Sequence, residues 1–366
     1  MHATALVIGK FYPPHTGHRH LIETAAAQAG HLWVLVQGSR FESIAVAERA
    51  RWLAEEFAGA NVTVVPVRND CPVDYASDEV WTAQVDNMRW ALKIRGVEAI
   101  DAVYSSEDYG ARLAAAFNAV HVCVDPQRST RPISGTACRE DLAGNWKQIL
   151  PAARRGMAVR VIVVGAESTG TTTLSEALAA HYRQQFPALA SVPEHGRHYT
   201  YEKLAELQQS RPEATVEQLV WTAADFGVIA ERQSALEEAA AEAAPLVIAD
   251  TDALATTLWE RYYLGDGSYG SYAAAAGLPR RDIYLLTDCQ GVEFEDDGWR
   301  EGEHRRPEMT EWFKETLTEA GHSWILATGS RERRLATATA VIDAMLTQQG
   351  TFTSPAWAGR TVLATA

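Results

Sequence analysis

Two kinds of apolar pattern alternate along the chain. Short runs rich in β-branched and aromatic residues, such as HLWVLVQG (31–38) and NVTVVPV (61–67), predict buried strands. Longer segments between them, such as VAERARWLAEEFAG (46–59), place apolar residues at helical spacing. Strands and helices joined by short links predict the α/β class, with parallel, doubly wound sheets.

The same opening occurs twice, which predicts two domains. ATALVIG (3–9) and VRVIVVG (159–165) each read as a strand, followed by a glycine-containing turn and a helix. Further strands are predicted in the second half at PLVIAD (245–250), DIYLLTD (282–288) and HSWILATG (322–329). Pro151 and the RRG cluster (154–156) mark the boundary. We therefore expect domains at 1–156 and 157–350 and a C-terminal tail at 351–366.

Size and charge narrow the functional class. A chain of 366 residues exceeds the size at which single cores stop growing. A net charge of −14 argues against a nucleic-acid or membrane partner. Four cysteines without paired spacing predict reduced thiols, and no apolar run is long enough for a signal peptide or membrane span. We expect a cytoplasmic protein.

The first candidate site is GKFYPPHTGHRHLIETA (9–25). His15 and His18 are three residues apart at a predicted helix start, where free N–H groups favour an anion. Histidines there can donate to phosphate oxygens and stabilise a leaving pyrophosphate. Gly9 and Gly17 permit close approach of the backbone. The turn therefore predicts a triphosphate site.

A second segment, PISGTACRED (132–141), offers matching donors. Ser134 and Thr136 lie at a predicted helix start, and Arg139 follows one turn later as a forked donor for phosphate oxygens. Together with the first string, including Phe11, it resembles the nucleotidyltransferase superfamily. That resemblance implies in-line attack by a substrate phosphate on the α-phosphorus of ATP, without an enzyme nucleophile and with Mg²⁺ among the phosphates.

The segments VYSSEDYGARLAAAFNAV (103–120) and VDPQRSTRPISGTACRE (124–140) narrow the resemblance. They resemble the nicotinamide mononucleotide adenylyltransferase half of the bifunctional NadR family, whose second half is a ribosylnicotinamide kinase. The resemblance runs from about Thr4 to about Gln348. It implies nicotinamide mononucleotide as acceptor, NAD as product, and ATP binding through Ser106, Asp125 and Arg128. Trp81 is the residue we expect to stack on the nicotinamide ring.

Two further expectations follow from this resemblance. No segment precedes the first strand to supply the helix-turn-helix region that some members carry, so we predict no DNA binding. Adenylyltransferase relatives commonly self-associate, so a homo-oligomer is compatible with the sequence.

The second candidate site is GAESTGTTTL (165–174). Gly165 and Gly170 have the Walker A spacing, and Thr172 occupies the metal-binding hydroxyl position. Thr171 stands where the motif has lysine; Thr173 follows it in the predicted first helical turn. Losing that charge corresponds to about 3 kcal/mol, or ~100-fold in rate.

Three more segments predict a nucleotide kinase despite the missing lysine. LVIADTD (246–252) places Asp250 at a strand end, where it would hold Mg²⁺, with Asp252 as a substrate-binding residue. SVPEHGRHY (191–199) supplies Glu194 and Arg197 where the nucleoside kinases that it resembles contact substrate. FEDDGWREGEHRRPEM (294–309) resembles the family's lid, whose arginines would replace the lysine charge: Arg300, Arg305 and Arg306.

Four interpretations remain open from the sequence. An active second domain would phosphorylate the 5′-hydroxyl of ribosylnicotinamide with ATP, using Asp250 or Glu194 as base. Alternatively, it would be a nucleotide-sensing pseudokinase beside a working adenylyltransferase. In a third interpretation, the first domain would use another phosphorylated acceptor. In a fourth, the chain would be a regulatory protein that binds nucleotides without catalysis.

Overall fold

Two sheets of five parallel strands organise the chain. The computed structural model describes residues 1–72, 74, 77–290, 292–293 and 303–357. The chain divides into two compact units, one formed by Met1–Gly156 together with the segment from Gly350 onward, the other by Met157–Gln349. The described part of the segment predicted as a tail thus lies in the first unit.

The first unit alternates strands and helices. Its elements are β1 (His2–Gly9), α1 (Thr16–Gln28), β2 (Ala29–Gly38), α2 (Val46–Glu56), β3 (Val62–Arg68), α3 (Asp78–Lys93), β4 (Ala102–Ser105), α4 (Gly110–Ala116), β5 (Val120–Cys123), α5 (Gly135–Glu140) and α6 (Pro151–Met157). The strand order is β3-β2-β1-β4-β5, so the direction of winding reverses beside β1. In such sheets ligands bind at the carboxyl ends of the strands at this reversal.

Burial on both faces of β1 explains its continuous apolar sequence. Ala5 and Val7 belong to the core on one face, whereas Leu6 belongs to the core on the other. Successive side chains of a strand point to opposite faces. A strand covered by helices on both sides therefore needs apolar residues at consecutive positions.

The second unit repeats this architecture. Its elements are β6 (Val159–Gly165), α7 (Thr171–Tyr182), β7 (Ser191–Val192), α8 (His195–Ser210), α9 (Ala223–Ala243), β8 (Leu246–Asp250), α10 (Ala253–Leu264), α11 (Tyr272–Ala276), β9 (Ile283–Thr287), α12 (Arg306–Glu319), β10 (Trp324–Ala327) and α13 (Arg331–Gln349). The strand order is β10-β9-β6-β8-β7. The carboxyl ends of β6 and β8 are therefore neighbours.

The predicted fold class, two doubly wound parallel sheets, is confirmed. The strand β7 was not predicted, because two residues are too few to show a strand pattern. Among the described residues, no helix combines the length and apolar character needed to cross a membrane.

Candidate active sites

A cavity of about 530 Å³ opens at the carboxyl end of β1, where the winding reverses. Every residue predicted for the first site lies in its lining: Gly9, Phe11, His15, Gly17, His18, Trp81, Ser106, Asp125, Arg128, Ser134, Thr136 and Arg139. These residues come from four separate stretches of sequence. The fold brings them to one place.

The two histidines cap α1 with their rings. The backbone N–H of Gly17 donates to Nδ1 of His15, and the N–H of His15 donates to Nδ1 of His18, each over 3.2 Å. The rings stack with centroids 3.6 Å apart. Since each Nδ1 accepts a hydrogen bond, the ring proton of each neutral imidazole must lie on Nε2.

Burial keeps both histidines neutral. It lowers the pKa of His15 to about 4, with a smaller contribution from the positive charges of Arg128 and Arg139. Burial also holds the pKa of His18 well below its usual value, and His15 and Arg128 add to the effect. At neutral pH the pair therefore offers uncharged N–H donors.

Arg139 contributes the positive charge beside this pair. Its Nη1 donates to the carbonyl oxygen of Tyr12 over 2.7 Å, and its Nη2 donates to Oγ1 of Thr136 over 3.1 Å. Ser134 caps α5 by accepting a hydrogen bond from the N–H of Ala137 over 3.0 Å. The guanidinium is thus fixed between the two signature segments.

Asp125 organises a loop that lines the same cavity. Its carboxylate accepts hydrogen bonds from the N–H and hydroxyl of Ser129, over 2.8 and 2.9 Å, and from the N–H of Thr130 over 3.0 Å. Arg128, within that loop, pairs with Glu107 over 2.7 Å. Asp125 therefore shapes the loop that carries Arg128.

Trp81 reaches the first cavity from α3. The guanidinium of Arg112 lies over its ring, 4.5 Å from the centroid, and apolar residues of the α3 core pack against it. The indole is therefore held in place while it lines the cavity.

A second cavity, of about 1080 Å³, surrounds the loop between β6 and α7. A Cβ at Gly165 would lie 2.2 Å from Oγ1 of Thr287, so only glycine fits there. Gly170 has φ +88° and precedes α7 without a side-chain cap, which leaves the N–H groups of the first turn open. Open amides at a helix start are a phosphate-binding feature.

Asp250 ties the first turn of α7 to β8. Oγ1 of Thr172 donates to Oδ2 of Asp250 over 2.5 Å, and Thr171 also hydrogen-bonds this carboxylate. Burial raises the pKa of Asp250, although these two hydrogen bonds and the charge of Arg197 oppose the shift. Thr172 and Asp250 thus stand together as a hydroxyl and a carboxylate, the ligand types Mg²⁺ accepts beside phosphates.

The arginines around the loop bind its backbone. Nη1 of Arg306 donates to the carbonyl of Ser168 over 3.3 Å, and Nη1 of Arg334 donates to that of Thr169 over 2.6 Å. Arg334 also pairs with Asp288 over 3.1 Å. Both guanidinium groups are buried. Their hydrogen bonds to these carbonyls hold the loop in its conformation.

The other lid arginines lie elsewhere. Arg305 packs over the rings of Tyr262 and Trp312 and pairs with Glu308 over 3.1 Å, away from the cavity lining. Arg300, together with Asp297 and Gly298, lies outside the described residues. Thr173 lines the cavity from the first turn of α7.

Glu194 and Arg197 line the second cavity at the start of α8. Asp252 does not join them. It is fully buried, caps α10 by accepting from the N–H of Ala255 over 2.9 Å, and accepts from the hydroxyl of Tyr284 over 2.6 Å. The predicted substrate-binding role of Asp252 is therefore replaced by a structural one.

The chain is similar to known proteins in both sequence and fold. An AAA domain family model matches residues 160–334. The trifunctional NAD biosynthesis/regulator protein NadR of Escherichia coli (strain K12) is 28% identical over 213 residues, which is 54% of this chain and 50% of that protein. This chain is similar to NadR in sequence over those 213 residues. It spans about half the length of the curated relatives it matches.

Two solved NadR structures extend the likeness in fold to nearly the whole chain. A NadR protein in complex with NR superposes with a TM-score of 0.57 and 22% identity, covering 97% of this chain and 98% of that one. A NadR protein in complex with NAD and AMP-PNP gives 0.57 and 20%, covering 96% and 97%. Both units therefore share the NadR fold.

Sequence reasoning missed an aromatic cluster in the second cavity. The rings of Trp221, Phe226 and Tyr263 all line it, with centroids 5.6 to 6.1 Å apart and interplanar angles between 30° and 41°. Their positions in α9, α10 and the preceding loop show no shared pattern in the sequence. Arg334 was missed for the same reason.

Proposed function

We propose that this chain makes NAD in two steps: the second unit phosphorylates ribosylnicotinamide, and the first unit transfers the adenylyl group of ATP to the resulting nicotinamide mononucleotide. The observation that carries the proposal is the convergence of both nucleotidyltransferase signatures on one cavity. Similarity to NadR supports NAD biosynthesis as the setting.

In the reaction of the first unit, a phosphate oxygen of nicotinamide mononucleotide attacks the α-phosphorus of ATP. A new P–O bond forms as the bond to the β-phosphate oxygen breaks, and pyrophosphate leaves. Nε2–H groups of His15 and His18 and the guanidinium of Arg139 are the donors for the growing charge. Positioning and electrostatics suffice, so no covalent enzyme intermediate is required.

Trp81 is our candidate for the nicotinamide ring in this site. A flat cationic pyridinium on an indole is worth about 1–2 kcal/mol. Arg112 already holds the ring in place within the cavity lining, which supports the assignment.

In the reaction of the second unit, which supplies that nicotinamide mononucleotide, the 5′-hydroxyl of ribosylnicotinamide attacks the γ-phosphorus of another ATP, and ADP leaves. Backbone N–H groups at the start of α7 hold the phosphates. Thr172 and Asp250 would hold Mg²⁺, which neutralises phosphate charge. Trp221 and Tyr263 provide faces for the cationic nicotinamide.

The base of this step is either Asp250 or Glu194, both of which line the cavity. Kinetics of Glu194→Gln and Asp250→Asn would separate them. A base mutant loses turnover while keeping its Mg²⁺ dependence, whereas a metal-ligand mutant requires more Mg²⁺ for the turnover it retains.

A pseudokinase is the second candidate for this unit. Thr171 brings no charge to the phosphates, and Arg306 and Arg334 are engaged with loop carbonyls. The test is phosphorylation of ribosylnicotinamide by the intact chain and by Asp250→Ala. If the chain binds ATP but phosphorylates ribosylnicotinamide no faster than Asp250→Ala does, the second unit is a pseudokinase.

The reaction of the first unit has its own test. His18→Ala is expected to lower NAD formation from nicotinamide mononucleotide and ATP by about 100-fold or more, because a donor to the transferred phosphates is lost. His181→Ala, at an exposed position of α7, serves as the control. A panel of acceptor phosphates, scored by pyrophosphate release, tests the choice of acceptor. If other acceptors react and nicotinamide mononucleotide does not, the first unit uses a different acceptor.

We place this activity in the cytoplasm. All four cysteines are free, as expected in a reducing compartment.

A further inference from the structure

A short segment near the C-terminus packs on the turn that carries the first site. The hydroxyl of Tyr12 donates to the carbonyl of Thr353 over 3.0 Å, and Oγ1 of Thr353 donates to the carbonyl of Phe41 over 2.6 Å. Trp357 meets the ring of Phe41 edge-on, with centroids 5.4 Å apart. We name residues 352–357 the return segment.

Tyr12 is the residue through which this segment reaches the site. It is 3% exposed, and its ring meets that of Phe352 edge-on at 5.4 Å and 86°. Its hydroxyl also contacts Oγ of Ser43 over 2.6 Å. The guanidinium of Arg49 lies 5.0 Å from its ring centroid. The Tyr12 side chain is therefore enclosed from several sides, one of them supplied by the return segment.

The other side of Tyr12 faces the phosphate donors. Its carbonyl accepts the 2.7 Å hydrogen bond from Nη1 of Arg139, and the same guanidinium lies 5.5 Å from its ring centroid. Tyr12 itself lines the first cavity, three residues before His15. Displacement of Tyr12 would therefore move the partner that orients Arg139.

We propose that Phe352 and Thr353 are positioning residues of the adenylyl transfer site, acting through Tyr12 on Arg139. The inference rests on the proposed function of that site. A misplacement of about 1 Å can lower the rate of an oriented reaction by up to about 100-fold. Ring packing and the hydrogen bond to the Thr353 carbonyl resist that displacement before ATP arrives.

The test compares three variants of the full chain. Phe352→Ala removes the ring contact and is expected to lower kcat/KM for ATP in NAD formation by about 10-fold. Phe352→Tyr keeps the ring and should restore it. Ser354→Ala, at an exposed position of the same segment, should match the parent. Phosphorylation by the second unit should be the same in all three.

Two results would overturn the proposal. One is a Phe352→Ala chain with the same kcat/KM for ATP as Ser354→Ala. The other is a parallel fall of both reactions that Phe352→Tyr does not rescue, since that would show general destabilisation.

A second measurement separates this proposal from the proposed reaction. Hydrogen exchange of the peptide covering residues 9–19 is followed with and without ATP. ATP should slow exchange in the parent and in Phe352→Tyr, and slow it less in Phe352→Ala. That pattern supports the positioning role even if the parent forms no NAD from nicotinamide mononucleotide; equal protection in all variants contradicts it.

Discussion

At the residue scale, the first site relies on histidines that stay uncharged. Each Nδ1 is occupied by a backbone N–H, so the sequence position of the pair fixes both the helix start and the tautomer. An imidazole that is buried and neutral donates without the cost of burying a charge. The same arrangement makes the fold sensitive to acid.

Acid should destabilise the protein through His15. Its pKa is about 4 in the folded state against an ordinary 6.5, so the unfolded chain binds the proton first as pH falls. The free energy of unfolding should therefore decrease from about pH 6.5 towards pH 4, by about 2 kcal/mol from this group between pH 7.5 and 5. His15→Asn keeps a capping side chain and should lose less stability over that range.

Urea unfolding at the two pH values measures this effect. His181→Asn, which replaces an exposed histidine, should behave as the parent. An identical pH dependence in His15→Asn and the parent would argue against the role of burial.

The missing lysine gives the second prediction at this scale. Thr171→Lys should raise the phosphorylation rate of the second unit, by up to about 100-fold, because a charge returns to the phosphate oxygens. Steady-state assays with ribosylnicotinamide and ATP measure it. Thr173→Lys adds the same charge two positions further on and should give no comparable gain. An equal gain would show that the rate does not depend on placing the charge at position 171.

At the element scale, the loop after β6 depends on close packing around Gly165. Gly165→Ala would place a Cβ 2.2 Å from Oγ1 of Thr287 on β9. We expect a loss of about 1–3 kcal/mol in the stability of the second unit, together with weaker ATP binding. Thermal unfolding and ATP titration measure the two effects.

Gly277→Ala is the matched control for that prediction. Gly277 follows α11, and an added Cβ there would meet its nearest atom at 3.6 Å, an ordinary contact. The control should unfold like the parent. If Gly165→Ala also unfolded like the parent, the loop would have to accommodate the added Cβ without losing stability.

Elements with a strong local pattern could be predicted from the sequence, and long-range pairings could not. The apolar runs at β1 and β6 and the glycine turns after them predicted both sheets. The role of Asp252 was not predictable, because its partners Arg281 and Tyr284 are about thirty residues away. Likewise, a lysine-free loop gave no hint that Arg334 would hold it from α13.

At the scale of the whole molecule, the two proposed reactions share one intermediate. With ribosylnicotinamide and ATP, Asp250→Ala alone and His18→Ala alone should each form NAD far more slowly than the parent, because each is impaired in one step. A mixture of the two variants should form it again, since nicotinamide mononucleotide made by one chain can bind another. NAD formation by either variant alone at the rate of the mixture would contradict the assignment of one reaction to each unit.

The return segment has a consequence for the order in which the protein matures. Phe352 and Thr353 belong to the first unit, yet they follow the whole second unit in the chain. At ordinary rates of translation, roughly 10 to 40 seconds separate residue 156 from residue 350. On the ribosome, the turn around Tyr12 therefore waits for contacts that are synthesised only after the whole second unit, and the first site becomes complete only then.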